Sequence, residues 1–112
     1  MLKETSTTRV VLTTAGSSEE ARRLGRALVE ERLVACASIL PAIESIYRWK
    51  GEIESGSESM IFLKTDLDRL SALEARLHEL HSYETPEFLV LEAESGSEAY
   101  LDWMAECLKP GD

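Results

Sequence analysis

His81 is the residue of this chain best suited to bind a metal ion. It follows a leucine-rich segment and shares a polar loop with Tyr83, Glu84 and Glu87. One imidazole with carboxylates suits Cu(II), Zn(II) or Ni(II), with water in the remaining coordination positions. A site with a single histidine is weak unless another subunit supplies further ligands. The sequence therefore predicts a divalent metal site at His81, Glu84 and Glu87.

A second interpretation gives His81 a structural role. A histidine just past a helix end can cap that helix and hydrogen-bond a backbone carbonyl. His78 completes an H-x-x-H spacing, but it lies beside Glu79 on the charged side of the predicted helix. We interpret His78 as a solvated surface residue, and both interpretations of His81 stay open.

The sequence shows no arrangement of residues suited to nucleophilic catalysis. Cys36 and Cys107 are far apart, form no C-x-x-C motif and lie near no histidine, so we interpret them as small buried side chains. The segment 13–18 after the first predicted strand lacks the Gly-rich, arginine-containing anion loop of an acylphosphatase and the C-x-x-C of a soft-metal chaperone. We therefore expect a protein that is not an enzyme and has no organic cofactor.

Several aromatic residues and one lysine are candidates for a cleft or interface. Aromatic side chains at these spacings are more often found in a core or interface than in a ligand site. Lys64 ends an apolar segment, so we expect it to pair with a carboxylate such as Glu87, or to face an anion in a cleft between subunits. The candidates are Tyr47, Trp49, Lys64, Tyr83, Tyr100 and Trp103.

Composition limits the class of protein. The chain has 112 residues, 44% of them hydrophobic, which suits one domain with a real core, residues 1–112. Its net charge is −9, and the basic residues are scattered, which disfavours nucleic acid as a partner. No apolar run approaches the roughly 20 residues that span a membrane. The polar residues 1–8 carry no export signal, so we expect a flexible N-terminus and a cytoplasmic protein.

The elements that position these residues follow from periodicity. The predicted order is β-α-β-β-α-β plus a C-terminal helix, the ferredoxin-like split βαβ arrangement of the α+β class. Capping-box spacing predicts helix starts at Ser17–Glu20 and at Ser95–Glu98. The middle helix carries a leucine stripe from Leu67 to Leu80, with Thr65 or Asp66 as its cap.

The central segment Val34–Thr65 predicts a long hairpin that turns at Lys50-Gly51. Its first strand has about sixteen residues, whereas strands usually run about 3–10. It would reach about 50 Å if straight, beyond a body about 35 Å across. Pro41 could divide it into two ordinary strands. An exposed apolar hairpin would be an aggregation hazard, so we expect it to pair with other copies of the chain in a closed ring.

These segments resemble the CutA divalent-cation-tolerance family. The resemblance lies in Leu33-Val34-Ala35-Cys36-Ala37, Ile39-Leu40-Pro41, Ser45-Ile46-Tyr47-Arg48-Trp49-Lys50-Gly51, Leu63-Lys64-Thr65, Glu79-Leu80-His81-x-Tyr83-Glu84-x-Pro86-Glu87 and Tyr100-Leu101-x-Trp103. It extends from Val10 to about Leu108. The sequence departs from the family pattern at Ser82, where proline is common, and at Thr13, where some bacterial members have a cysteine implicated in metal binding.

The resemblance implies a homotrimer with strand pairing between subunits, an architecture similar to PII signalling proteins, and binding of divalent metals such as copper. Two functions follow as alternatives. One is a trimeric metal-binding protein of cation tolerance or metal response, with a cleft near His81. The other is a PII-like signalling or scaffolding trimer that binds a small ligand in the cleft between subunits.

Overall fold

Six strands and three helices form within residues 1–111, the part of the chain described by the structure, a computed structural model. In chain order they are β1 (Leu2–Glu4), β2 (Thr8–Ala15), α1 (Ser18–Glu30), β3 (Cys36–Trp49), β4 (Glu52–Asp66), α2 (Leu70–Leu80), β5 (Leu89–Glu92), β6 (Ser95–Ser97) and α3 (Glu98–Leu108). A short 3₁₀ turn, Leu67–Arg69, precedes α2.

The main sheet has the strand order β3-β4-β2-β5, with every neighbouring pair antiparallel. This is the order of a ferredoxin-like fold, as predicted. One face of the sheet is covered by α1 and α2, because the buried leucines of both helices meet the inward side chains of the central strands. The core consists of Val11, Ala15, Ala21, Leu24, Leu28, Val34, Ile61, Leu63, Leu73 and Leu77.

Helix α1 begins as the capping-box spacing predicts. The Ser17 hydroxyl accepts a hydrogen bond from the backbone N–H of Glu20 at 3.1 Å. Gly25 lies on the buried side of the helix, where a Cβ would come within 3.0 Å of the Ala37 Cβ. The missing side chain therefore allows α1 to approach β3 closely.

The predicted hairpin is present as β3 and β4. Lys50 and Gly51 both have positive φ, 50° and 82°, as a two-residue type I′ turn requires. Pro41 does not divide the strand, because it lies in a bulge where the register shifts between Leu40 and Ile43. This position costs no ladder hydrogen bond, since β3 is an edge strand.

The outer part of this hairpin, residues 43–58, is called the arm below. The molecule measures 46 × 30 × 22 Å and has a radius of gyration of 14.9 Å, against about 13 Å for a compact chain of this size. Ile46, Trp49 and Ile53 are 71%, 59% and 64% exposed. The predicted overhang of the hairpin, with large apolar side chains in solvent, is confirmed.

The predicted start of the middle helix was wrong. Leu67 is 47% exposed and belongs to the 3₁₀ turn, and α2 begins only at Leu70. Neither predicted cap acts as one, because each side chain has another partner. The Thr65 hydroxyl donates to the Leu33 carbonyl at 2.7 Å, and Asp66 pairs with Arg69 at 2.7 Å.

The last helix also begins later than predicted. Ser97, not Ser95, is its N-cap and accepts from the Tyr100 N–H at 3.1 Å. Ser95–Ser97 instead form β6, which pairs with β1 in the N-terminal segment for which flexibility was predicted. Two three-residue strands have too few residues for a period of two to be recognised, and for this reason the sequence did not show them.

Candidate functional site

His81 ends α2 as its C-cap, and its ring joins that helix to the sheet. Nε2 lies 2.6 Å from the carbonyl oxygen of Thr14 in β2, and Nδ1 accepts the N–H of Tyr83 at 3.0 Å. A carbonyl can only accept, so Nε2 carries the proton of a neutral ring. The side chain is fully buried, with 0% exposed. Both ring nitrogens are thus engaged inside one subunit, which matches the structural interpretation of His81.

The same loop is held by Glu20, which the sequence assigned only to a helix cap. Its carboxylate accepts the backbone N–H and the hydroxyl of Ser82, both at 2.9 Å, and lies 3.8 Å from Nδ1 of His81. Burial alone would raise the pKa of Glu20. The hydrogen bonds from the backbone and side chain of Ser82, and from the backbone of Gly16, outweigh burial, so the pKa lies below its ordinary value.

A second acidic group lies at the base of the arm. The Tyr83 hydroxyl donates to Oε2 of Glu58 at 2.9 Å. Burial, and then this contact with Glu58, raises the pKa of Tyr83 to about 12. Burial and the negative charge of Glu58 also raise the pKa of Glu87. The structure therefore brings together Glu58, Tyr83 and Glu87, of which sequence reasoning missed Glu58 because it lies in a polar, serine-rich stretch.

The three predicted metal ligands do not converge within the chain. His81 is buried, Glu87 is half-buried and Glu84 is exposed. Among residues 1–111, no group of three or more His, Cys, Asp or Glu side chains is arranged to hold a metal ion. Glu58 raises the pKa of Glu87 through its negative charge, but these two carboxylates do not by themselves complete a metal site.

Lys64 contacts an aromatic residue rather than the predicted carboxylate. Its Nζ donates to the Tyr100 hydroxyl at 3.3 Å and lies 5.6 Å from the centre of that ring. None of the ion pairs found within residues 1–111 joins Lys64 to Glu87, so that predicted pairing is absent in the subunit. Tyr100 in turn stacks on Trp103 at 5.3 Å between ring centres. These three residues form a partly exposed cluster beside the sheet.

The arm aromatics are separate from that cluster. Tyr47 is 48% and Trp49 is 59% exposed, and Lys50 lies 5.7 Å from the centre of the Trp49 indole.

The sheet face opposite α1 and α2 is also apolar. The strand register places on that face Val10, Leu12, Leu40, Met60, Phe62, Leu89 and Leu91. Leu40, Leu89 and Leu91 are each about half exposed.

No helix formed by residues 1–111 combines the length and apolarity that crossing a membrane requires.

Comparison with known proteins gives a consistent result. Residues 9–107 match the family model described as CutA1 divalent ion tolerance protein. A divalent-cation tolerance protein CutA of Thermus thermophilus is 44% identical over 97 residues, which cover 87% of this chain and 94% of that protein. Several plant and animal relatives are longer, and this chain spans about half of their length.

Solved structures agree with the sequence relatives. The structure of CutA from Synechococcus elongatus is 42% identical, with a TM-score of 0.94, and the match covers 97% of this chain and 96% of that one. A second structure from that organism, a complex with a Bis-Tris molecule, has a TM-score of 0.90, and the match covers 96% of this chain and 100% of that one. The likeness therefore includes both the sequence and the arrangement of the elements.

Proposed function

This chain belongs to the CutA1 divalent ion tolerance protein family, and from that premise we propose that it is a homotrimer that binds a divalent cation between its subunits. The proposed ions are Cu(II), Zn(II) or Ni(II), and the proposed role is cation tolerance in the cytoplasm without enzymatic activity. The observation that carries the metal site is the pair of carboxylates, Glu58 and Glu87, at the base of the arm.

Self-association is supported by the apolar surface of the single subunit. The arm extends Ile46, Trp49 and Ile53 into solvent, and the edge strand β5 leaves Leu89 and Leu91 half exposed. Contiguous apolar surface and an unpaired strand edge are unfavourable in a monomer. Pairing around a closed symmetry axis would cover both without open-ended growth.

The charge distribution supports a cation at the arm base. Burial and the nearby Glu58 disfavour the ionised form of Glu87, which raises its pKa. A bound divalent cation would reverse that effect, because it stabilises both carboxylates in their ionised form. Tyr83, which donates to Glu58, would hold one ligand in place.

The metal-ligating side chains of one chain do not complete the proposed site, so the proposal requires ligands from two subunits. His81 has no free ring nitrogen, so its contribution would be to fix the loop that carries Tyr83, and Glu87 further along the chain. One subunit then offers two carboxylates, fewer than the three or four protein ligands typical of zinc or copper sites. The proposed metal site therefore depends on the proposed trimer.

Two measurements test this proposal. Light scattering at micromolar concentration should give three times the mass of 12.5 kDa. A monomer would contradict the proposal. Calorimetric titration with Cu(II), Zn(II) and Ni(II) should show at least tenfold weaker binding for Glu58→Gln and Glu87→Gln than for the wild type. Glu84→Gln is the matched control and should bind normally, because Glu84 is exposed.

A His81 variant distinguishes the proposed carboxylate site from a metal site at the imidazole. His81→Ala that remains folded and trimeric should weaken metal binding less than Glu58→Gln or Glu87→Gln does, because it loosens the loop but removes no ligand. Loss of binding in that variant, with normal binding by Glu58→Gln and Glu87→Gln, would return the site to the imidazole. Equal binding by all variants would place the ion elsewhere.

A second candidate function is a PII-like trimer that binds a small ligand in the cleft between subunits. The exposed cluster of Lys64, Tyr100 and Trp103 favours it, because an ammonium with two aromatic rings offers both charge and stacking. The relative that is solved with Bis-Tris supports binding of a small organic molecule in this fold. Thermal-shift screening of nucleotides and small anions should then give saturable stabilisation that Lys64→Met removes.

A further inference from the structure

A groove of about 320 Å³ lies between α1 and β3, the edge strand of the main sheet. That volume is within the range of small-molecule sites, about 300–1,000 Å³. Its apolar floor forms where Gly25 brings the helix onto the strand, because a Cβ on Gly25 would lie 3.0 Å from Ala37 and 4.0 Å from Ile39. Val29, which is 40% exposed, extends this apolar surface along the helix. The groove can therefore accept a hydrocarbon group.

Two accessible arginines line the same groove. Arg22 and Arg26 are four residues apart on α1, and both are exposed. None of the ion pairs found within residues 1–111 includes either of them, whereas Arg23 in the same turn pairs with Glu20 at 3.7 Å. Like charges four residues apart on a helix repel each other. An anion bound between the two guanidinium groups would relieve this repulsion.

The local charge of the groove is opposite in sign to that of the whole chain. Glu30 is the acidic residue in its lining, so two arginines and one glutamate leave a single positive charge there, although the chain carries a net charge of −9. A ligand with one negative charge balances this lining, and a dianion would exceed it. A guanidinium matches the planar geometry of a carboxylate, which it can bind through two parallel hydrogen bonds.

The groove lies apart from the surfaces proposed for self-association. The proposed trimer covers the arm, the edge of β5 and the apolar sheet face opposite α1 and α2, and none of these surfaces contributes a residue to the groove. The contact of Gly25 with Ala37 instead places the groove on the side of the sheet that the helices cover. Arg22 and Arg26 therefore remain accessible in the proposed trimer.

We propose that this groove binds a small organic monocarboxylate with an apolar body. Its carboxylate would accept hydrogen bonds from the guanidinium groups of Arg22 and Arg26. Its hydrocarbon chain would lie on Ala37, Ile39 and Val29, where burial of apolar surface adds to the affinity. This site is independent of the proposed metal site at Glu58 and Glu87.

Amide NMR of the full chain, titrated with hexanoate, tests this proposal. We expect saturable shifts that cluster at residues 22–30 and 36–40. Hexanol lacks the charge and acetate lacks the apolar body, so each should bind at least tenfold more weakly than hexanoate. Affinity for either control equal to that for hexanoate, no saturation up to about 50 mM, or shifts confined to another surface would each overturn the proposal.

Two variants and one control connect the binding to the groove. Arg26→Gln should weaken hexanoate binding at least fivefold, whereas Arg23→Gln removes the same charge from the same helix outside the groove and should leave the affinity unchanged. An equal loss in these two variants would show attraction by overall charge alone and would overturn the proposal. Val29→Glu places a negative charge in the groove at an exposed position that tolerates glutamate, so it should abolish binding while the protein stays folded. Wild-type affinity in Val29→Glu would contradict the proposal.

Discussion

Nε2 of His81 lies 2.6 Å from the carbonyl oxygen of Thr14, across 67 residues of sequence. The ring nitrogen therefore satisfies a buried backbone carbonyl of β2, while Nδ1 holds the next turn of the loop through the Tyr83 N–H. One buried imidazole thus fixes the end of α2 to the sheet and sets the position of the loop that leads to the arm base. This use of both nitrogens makes His81 a structural residue of the subunit.

His81→Asn should destabilise the protein. The shorter side chain cannot reach both backbone groups, and leaving a buried donor or acceptor unpaired costs about 1–3 kcal/mol. Urea unfolding followed by circular dichroism should show this loss in the free energy of unfolding. His78→Asn, an exposed control on the same helix, should change it by less than about 0.5 kcal/mol. Unchanged stability of His81→Asn would contradict a structural role.

Glu20 should make stability depend on pH in the acid range. Its pKa in the folded protein is lower than the ordinary value of 4.5, because hydrogen bonds from Ser82 and from the backbone of Gly16 outweigh burial. A lowered pKa stabilises the folded state above the unfolded pKa, and this contribution disappears as the pH falls through the folded pKa. The stability difference between wild type and Glu20→Gln should therefore be largest near pH 7 and shrink below pH 4.5. Glu19→Gln, exposed in the same turn, should show no such trend.

Thr13 and Thr65 form a matched pair of buried threonines. The Thr13 hydroxyl is buried without a partner among the described residues, whereas the Thr65 hydroxyl donates to Leu33 at 2.7 Å. Thr13→Val should raise the free energy of unfolding by about 1 kcal/mol, and Thr65→Val should lower it by about 1–2 kcal/mol. Chemical denaturation tests whether the free energy of unfolding rises in Thr13→Val and falls in Thr65→Val. A decrease in both would show that Thr13 has a buried partner, such as a water molecule.

Gly25→Ala should destabilise the protein although alanine favours helices by about 1 kcal/mol. The new Cβ would lie 3.0 Å from the Ala37 Cβ, and α1 would have to move away from β3. Adding Ala37→Gly removes the opposing methyl group and should recover most of the lost stability. Thermal unfolding of the two single variants and the double variant measures this coupling. Additive effects would show that the contact does not limit the packing.

The site could be predicted only in part from the sequence. His81, Tyr83 and Glu87 were identified because they share one short loop segment and have side chains that can bind a metal. Glu58 was missed because its partner, Tyr83, is 25 residues away, and no local pattern marks a polar residue in a serine-rich strand. Glu20 was recognised at the helix start, but its contact with Ser82, 62 residues away, was not.

Local physical chemistry explains the parts of the fold that the sequence by itself determined. The turn at Lys50-Gly51 follows from residues that tolerate positive φ, and the Ser17 cap and the alternation along the hairpin act over four residues or fewer. Only the tertiary structure decided that His81 faces Thr14, that Thr65 bonds Leu33 rather than capping a helix, and that residues 2–4 pair with β6. These contacts join distant segments, and the Thr65 contact replaces a local helix cap that the sequence would equally allow. Burial determines whether a side chain makes the local or the long-range hydrogen bond, and burial exists only once the chain has folded.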